Sequence, residues 1–119
     1  MYMEASGPSH KGSNAMMETL PFVSSGMCLN FLRFMEGKDI GRLNIYQMID
    51  GNVSVLLTLD STRVASGWVA ENVRLIDTMN ETTVIFEAVR ACGTEGDIAI
   101  DEVDISTQAC NNSMYSILF

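Results

Sequence analysis

Apolar residues recur with a period of two along most of this chain. Leu43, Ile45, Gln47 and Ile49 share one face of an extended segment, and Asp50-Gly51-Asn52 supplies a tight turn. Val53, Val55, Leu57 and Leu59 then alternate with Ser54 and Thr58 on the return, which predicts a β-hairpin. Val69, Val73 and Leu75 repeat the alternation, with Glu71 and Arg74 expected on the outside, and Val84, Phe86 and Ala88 do so again. The β-branched run Thr82-Thr83-Val84-Ile85-Phe86 disfavours helix. Between Asp97 and Ile105 the large apolar residues start on even numbers and end on odd ones, so a bulge is expected near Asp101 and Glu102. Strands punctuated by Gly, Asn and Asp, with no capped helical spacing, predict an all-β antiparallel sandwich.

Composition narrows the class. The chain has 119 residues, 47% of them hydrophobic and 18% charged, enough to bury a single core. Fifteen acidic against seven basic side chains leave a net charge of −8, with no basic cluster. Nucleic acid and anionic membrane surfaces are poor partners for such a chain, because both are bound by neutralising phosphates. No apolar run approaches the roughly 18 residues of a membrane-spanning helix, so no direct membrane insertion is expected. Met1 to Asn14 is polar and small, unlike a secretory leader.

Catalytic chemistry finds little support. The one histidine, His10, sits in the polar loop Ser6 to Asn14, and Cys92 has only Arg90 nearby to lower its pKa. No phosphate loop, dinucleotide fingerprint or Cys-x-x-Cys occurs. The dense acidic stretch Glu95, Asp97, Asp101, Glu102 and Asp104 can be read as a solvated strand, as calcium ligands or, with least support, as a carboxylate pair for hydrolysis. Trp68 is expected in the core, together with Val84 and Phe86.

Three cysteines, Cys28, Cys92 and Cys110, permit at most one internal bridge and leave one thiol over. Three glycosylation sequons begin at Asn52, Asn80 and Asn111. All fall in turns, inter-strand segments or the tail, and that placement argues for the secretory pathway.

The segment Cys28-Leu29-Asn30-Phe31, then Gly41 to Tyr46, Gly67-Trp68 to Val73, Phe86 to Arg90, Gly93-Thr94-Glu95-Gly96-Asp97-Ile98-Ala99-Ile100-Asp101-Glu102-Val103 and Cys110 resembles the MAM domain. This module occurs in the ectodomains of meprins, neuropilins and receptor tyrosine phosphatases. The resemblance implies a jelly-roll-like β-sandwich without catalysis of its own, acting in extracellular adhesion or recognition through protein partners, homophilic contacts included. A carbohydrate-binding jelly roll is the alternative.

The resemblance also implies that Cys28 pairs with Cys110, which leaves Cys92 as a free thiol. Tyr2 to Ser6 resembles the strand before the family's first long loop. The family's amino-terminal portion, with its first cysteine pair and an acidic segment, has no counterpart in this sequence. Residues 1–110 are accordingly expected to form a partial, truncated sandwich and residues 111–119 a tail or linker. Some MAM domains hold a cation; Glu102 is the first candidate ligand here and Asp101 the second, with Ca2+ the expected ion in the full-length domain.

Overall fold

The computed structural model describes residues 2–4, 14–37, 41–60, 67–89, 97–108 and 110. They form strands β1 (Tyr2–Glu4), β2 (Asn14–Glu18), β3 (Cys28–Glu36), β4 (Arg42–Ile49), β5 (Asn52–Leu59), β6 (Trp68–Arg74), β7 (Thr82–Val89) and β8 (Asp97–Ser106). Two antiparallel four-stranded sheets result, ordered β1-β8-β3-β6 and β2-β7-β4-β5. Each presents one alternating apolar face to the other, and the core lies between them. Leu29, Phe31, Met35, Val73, Ile98 and Ile100 come from the first sheet and Leu43, Ile45, Leu59, Val84, Phe86 and Ala88 from the second. Phe31 and Phe86 bridge the sheets edge to face, with ring centroids 5.3 Å apart. The all-β antiparallel sandwich expected from the alternation, jelly-roll-like as the resemblance implies, is the fold observed.

The β4–β5 hairpin turns through Asp50 and Gly51, whose φ angles of 48° and 81° are those of a two-residue turn that matches strand twist. Asn52 is the first residue of β5, opposite Ile49, rather than part of the turn. Further along, Ile45 pairs with Leu57 but Tyr46 with Val55, so Leu56 is an extra residue. This bulge overturns the expected single face of β5. Leu57 and Leu59 point inward, whereas Val53 and Val55 are 51% and 62% exposed on the outside.

The bulge expected in β8 is present. Asn30 pairs with Asp104 and Leu32 with Asp101, which leaves Glu102 and Val103 both opposite Phe31.

Glu71 also departs from expectation. It shares parity with Val69 and Val73 and therefore lies on the inner face, opposite Phe31. There it accepts a hydrogen bond from Nε of Arg33 at 2.7 Å, with only 5% and 17% of the two side chains exposed. Arg33 has the parity of Leu29, Phe31 and Met35, so β3 and β6 carry an ion pair into the sandwich.

Gln47, fully buried on the inner side of β4, holds the β6–β7 connection. Its Oε1 accepts the Ile76 N–H at 2.8 Å and its Nε2 donates to the Ile76 carbonyl at 3.0 Å. The same connection is tied to the segment after β2, where Asp77 accepts the Gly26 N–H and Phe22 exchanges backbone bonds with Thr82.

Candidate recognition surface

With both inner faces committed to the core, recognition falls to the outer faces, the strand edges and the poles. On the outer face of the β1-β8-β3-β6 sheet, Trp68 of β6 lies opposite Phe34 of β3. The rings are tilted by 50° with centroids 5.5 Å apart, and Trp68 is 50% exposed. Trp68 is therefore not a core residue. Its parity is opposite to that of Val69 and Val73, a signal present in the sequence that outweighs the usual tendency of a lone Trp to fill a core. Leu32 and Ala70, also paired, extend the same face.

The outer face of the β2-β7-β4-β5 sheet carries Met16, Val53 and Val55, all more than half exposed, around Tyr46 and Ile85. Glu87 organises its polar part: one carboxylate oxygen accepts from the Tyr46 hydroxyl at 2.6 Å and from Asn44 Nδ2 at 3.1 Å. The bond to a negatively charged acceptor, helped by partial burial, holds the Tyr46 pKa above its ordinary 10.0. A raised tyrosine pKa favours the neutral phenol, so this contact supports the fold below pH 10 and is lost as pH climbs through the shifted value.

At the β8 bulge, Asp101 and Glu102 are both exposed. Asp101 Oδ1 accepts the Glu102 N–H at 2.8 Å, and Glu102 adopts φ = 51°. Among the described residues no three His, Cys, Asp or Glu side chains are grouped so as to hold a metal ion.

The pole next to the β4–β5 turn gathers two sequons. Asn52 opens β5, and Asn80 precedes Thr82, which pairs with the same Ile49 as Asn52 does. Both asparagines are exposed. The same pole holds an open pocket of about 290 Å³ lined by Glu18, Met48, Asp50, Glu81 and Thr83, in which Thr83 Oγ1 donates to Glu18 at 2.6 Å.

The start of β3 and the segment after β8 are joined by a disulfide between Cys28 and Cys110, with Cα atoms 4.9 Å apart across 82 residues of sequence. Register explains the proximity, since Cys28 pairs with Ser106 near the end of β8. A profile of the family described as "MAM domain, meprin/A5/mu" matches residues 1–111. The chain belongs to the MAM family.

Relatives of this MAM module include the MAM domain-containing glycosylphosphatidylinositol anchor protein 2 of Mus musculus, 32% identical over 122 residues. That match covers 92% of this chain and 13% of the mouse protein. Thyroid hormone-induced protein B of Xenopus laevis is 29% identical over 95% of the chain and 17% of its own length. Epidermal growth factor-like protein 6 of the same frog is 27% identical over 94% and 20%. The module thus spans no more than about a fifth of these relatives.

The pairing implied by the family likeness is the one the MAM sandwich makes, and the structure brings Asn52 and Asn80 to one pole. The third sequon at Asn111, the thiol of Cys92, His10, Arg90 and Glu95 lie outside the described residues. Sequence reading misses both the outer-face Phe34–Trp68 pair and the inner-face Arg33–Glu71 pair, although strand parity marks each of them.

Proposed function

We propose that this module is a non-catalytic recognition unit of an extracellular or cell-surface protein, and that it docks a protein partner through the outer face of the β1-β8-β3-β6 sheet. The half-exposed Trp68 beside Phe34 carries this reading. Large aromatic side chains dominate the binding energy of protein interfaces, and a flat sheet face with one such anchor is suited to a protein surface. A homophilic contact is one form the docking can take.

The compartment is supported by a disulfide, by two exposed sequons and by a relative whose name places it on a glycosylphosphatidylinositol anchor. Asn52, Asn80 and Asn111 are the proposed glycan acceptors, and Cys92 is the proposed free thiol. Calcium at Glu102 and Asp101 is a further proposal of the family likeness. A calcium-dependent rise in melting temperature that disappears in Glu102→Ala supports it, and no shift at millimolar calcium removes it.

The same Trp68 favours carbohydrate binding as a second reading, since sugars stack on exposed aromatic rings. A multimerised form of the chain applied to cultured cells separates the two. Trp68→Ala is expected to weaken binding by about thirty-fold, the effect of losing an anchor of roughly 2 kcal/mol, with an unchanged melting temperature. Trypsin treatment of the cells abolishes binding to a protein, whereas glycosidase treatment or free oligosaccharide abolishes binding to a sugar. Full binding by Trp68→Ala overturns both readings of this face.

A further inference from the structure

We infer that the edge of β5 left unpaired among the described residues is a self-pairing site for a second copy of this chain, and that a glycan on Asn52 keeps it closed. The inference deepens the recognition reading and rests on it in one respect, passage through the secretory pathway, which would glycosylate Asn52.

β5 is the terminal strand of its sheet and pairs only with β4 among the described residues. A two-residue hairpin makes its flanking residues, Ile49 and Asn52, a hydrogen-bonded pair. The alternation then turns the N–H and C=O of Val53 and Val55 away from β4.

Proteins blunt such edges with charge, proline or a covering segment. Two other terminal strands comply: β2 contains Glu18, and β6 contains Glu71 and Arg74. β5 runs Asn-Val-Ser-Val-Leu-Leu-Thr-Leu, with neither charge nor proline. In a chain of net charge −8, two copies repel one another over most of their surfaces, and this edge is where they can meet without opposing like charges.

The geometry is also self-complementary. With Ser54 on a two-fold axis perpendicular to the sheet, Val53 faces the partner's Val55, and both point to the outer face, where they are 51% and 62% exposed. The paired stretch, Asn52 to Leu56, contains no carboxylate, so none are brought together within it. The bulge at Leu56 limits the contact to the first half of β5, which makes the pairing weak and reversible.

Asn52 stands next to Val53 and, in this register, opposite the partner's Leu56. A branched glycan there occupies the space the second copy needs. Ser54, which completes the sequon, sits on the axis itself.

The test compares the chain secreted from glycosylating cells with Asn52→Gln and with Ser54→Ala, which removes the sequon from its other end while keeping Asn52. Sedimentation over a concentration series is expected to show a monomer for the glycosylated chain and a concentration-dependent dimer for both variants. Adding Val55→Lys to either variant, at an exposed position that leaves the fold intact, is expected to return the monomer. Variants that stay monomeric, or dimers indifferent to Val55→Lys, overturn self-pairing through β5. A dimer of the glycosylated chain, or a bare Asn52 in peptide mapping, overturns closure by the glycan. Trp68-dependent binding to cells is read separately, so either result can fail without the other.

Discussion

The two sheets carry polar groups on their inner faces in opposite ways. The β1-β8-β3-β6 sheet buries a charged pair, Arg33 and Glu71, and is stapled at its end by the Cys28–Cys110 bridge. The β2-β7-β4-β5 sheet buries a neutral amide, Gln47, whose two hydrogen bonds go to backbone rather than to another side chain. A charge taken into a core demands an opposite charge beside it, whereas the amide serves the backbone of a loop. The first arrangement locks two strands of one sheet together; the second fastens a connection to the sheet it crosses.

Substitutions at four places break or sharpen this contrast. The largest effect is expected at the staple. Cys28→Ala or Cys110→Ala releases a loop of 82 residues and should lower unfolding free energy by about 4.5 kcal/mol on the chain-entropy argument, as read by denaturant titration against the parent chain. Next comes the ion pair. Glu71→Gln takes a carboxylate away from the buried Arg33 guanidinium and is expected to cost roughly 3 kcal/mol, while Arg33→Met combined with Glu71→Leu should recover most of that loss. Equal costs for the single and the double variant would show that the pair does not act as a unit.

Gln47→Leu keeps the volume but orphans the N–H and C=O of Ile76, for an expected loss of about 2 kcal/mol. Faster hydrogen exchange at Ile76, with the β1-β8-β3-β6 sheet unaffected, would place the damage in the β6–β7 connection. The smallest effect is at the β8 bulge. Glu102→Gly relieves a left-handed backbone at φ = 51° but loosens the unfolded chain, so a net gain of about 0.5 kcal/mol is expected in the same titration.

The two bulges show where sequence was readable. In β8 the apolar residues change from even to odd numbers across polar Asp101 and Glu102, and that contrast announced an extra residue. In β5 the bulge hides inside Val55-Leu56-Leu57, where every side chain is apolar and no change of parity is visible. Val53 and Val55 were accordingly expected on the face of Leu57 and Leu59 and were found outside. Trp68 and Glu71 illustrate the converse. Their parity is legible in the sequence, and position in the strand outweighs the residue-type habit of Trp inside and Glu outside.

By itself the sequence determined the class of fold, the hairpin at Asp50-Gly51, the acidic surface and the sequons, because these depend on local periodicity, turn chemistry and composition. The family pattern added the cysteine pairing. Only the tertiary structure decided that Arg33 meets Glu71 between the sheets, that Gln47 reaches Ile76, that Trp68 and Phe34 share an outer face, and that β5 ends its sheet with an uncharged edge. Each of those depends on which strands are neighbours and in what register, and pairing between distant strands is set by how the whole core packs, a quantity no local stretch of residues contains.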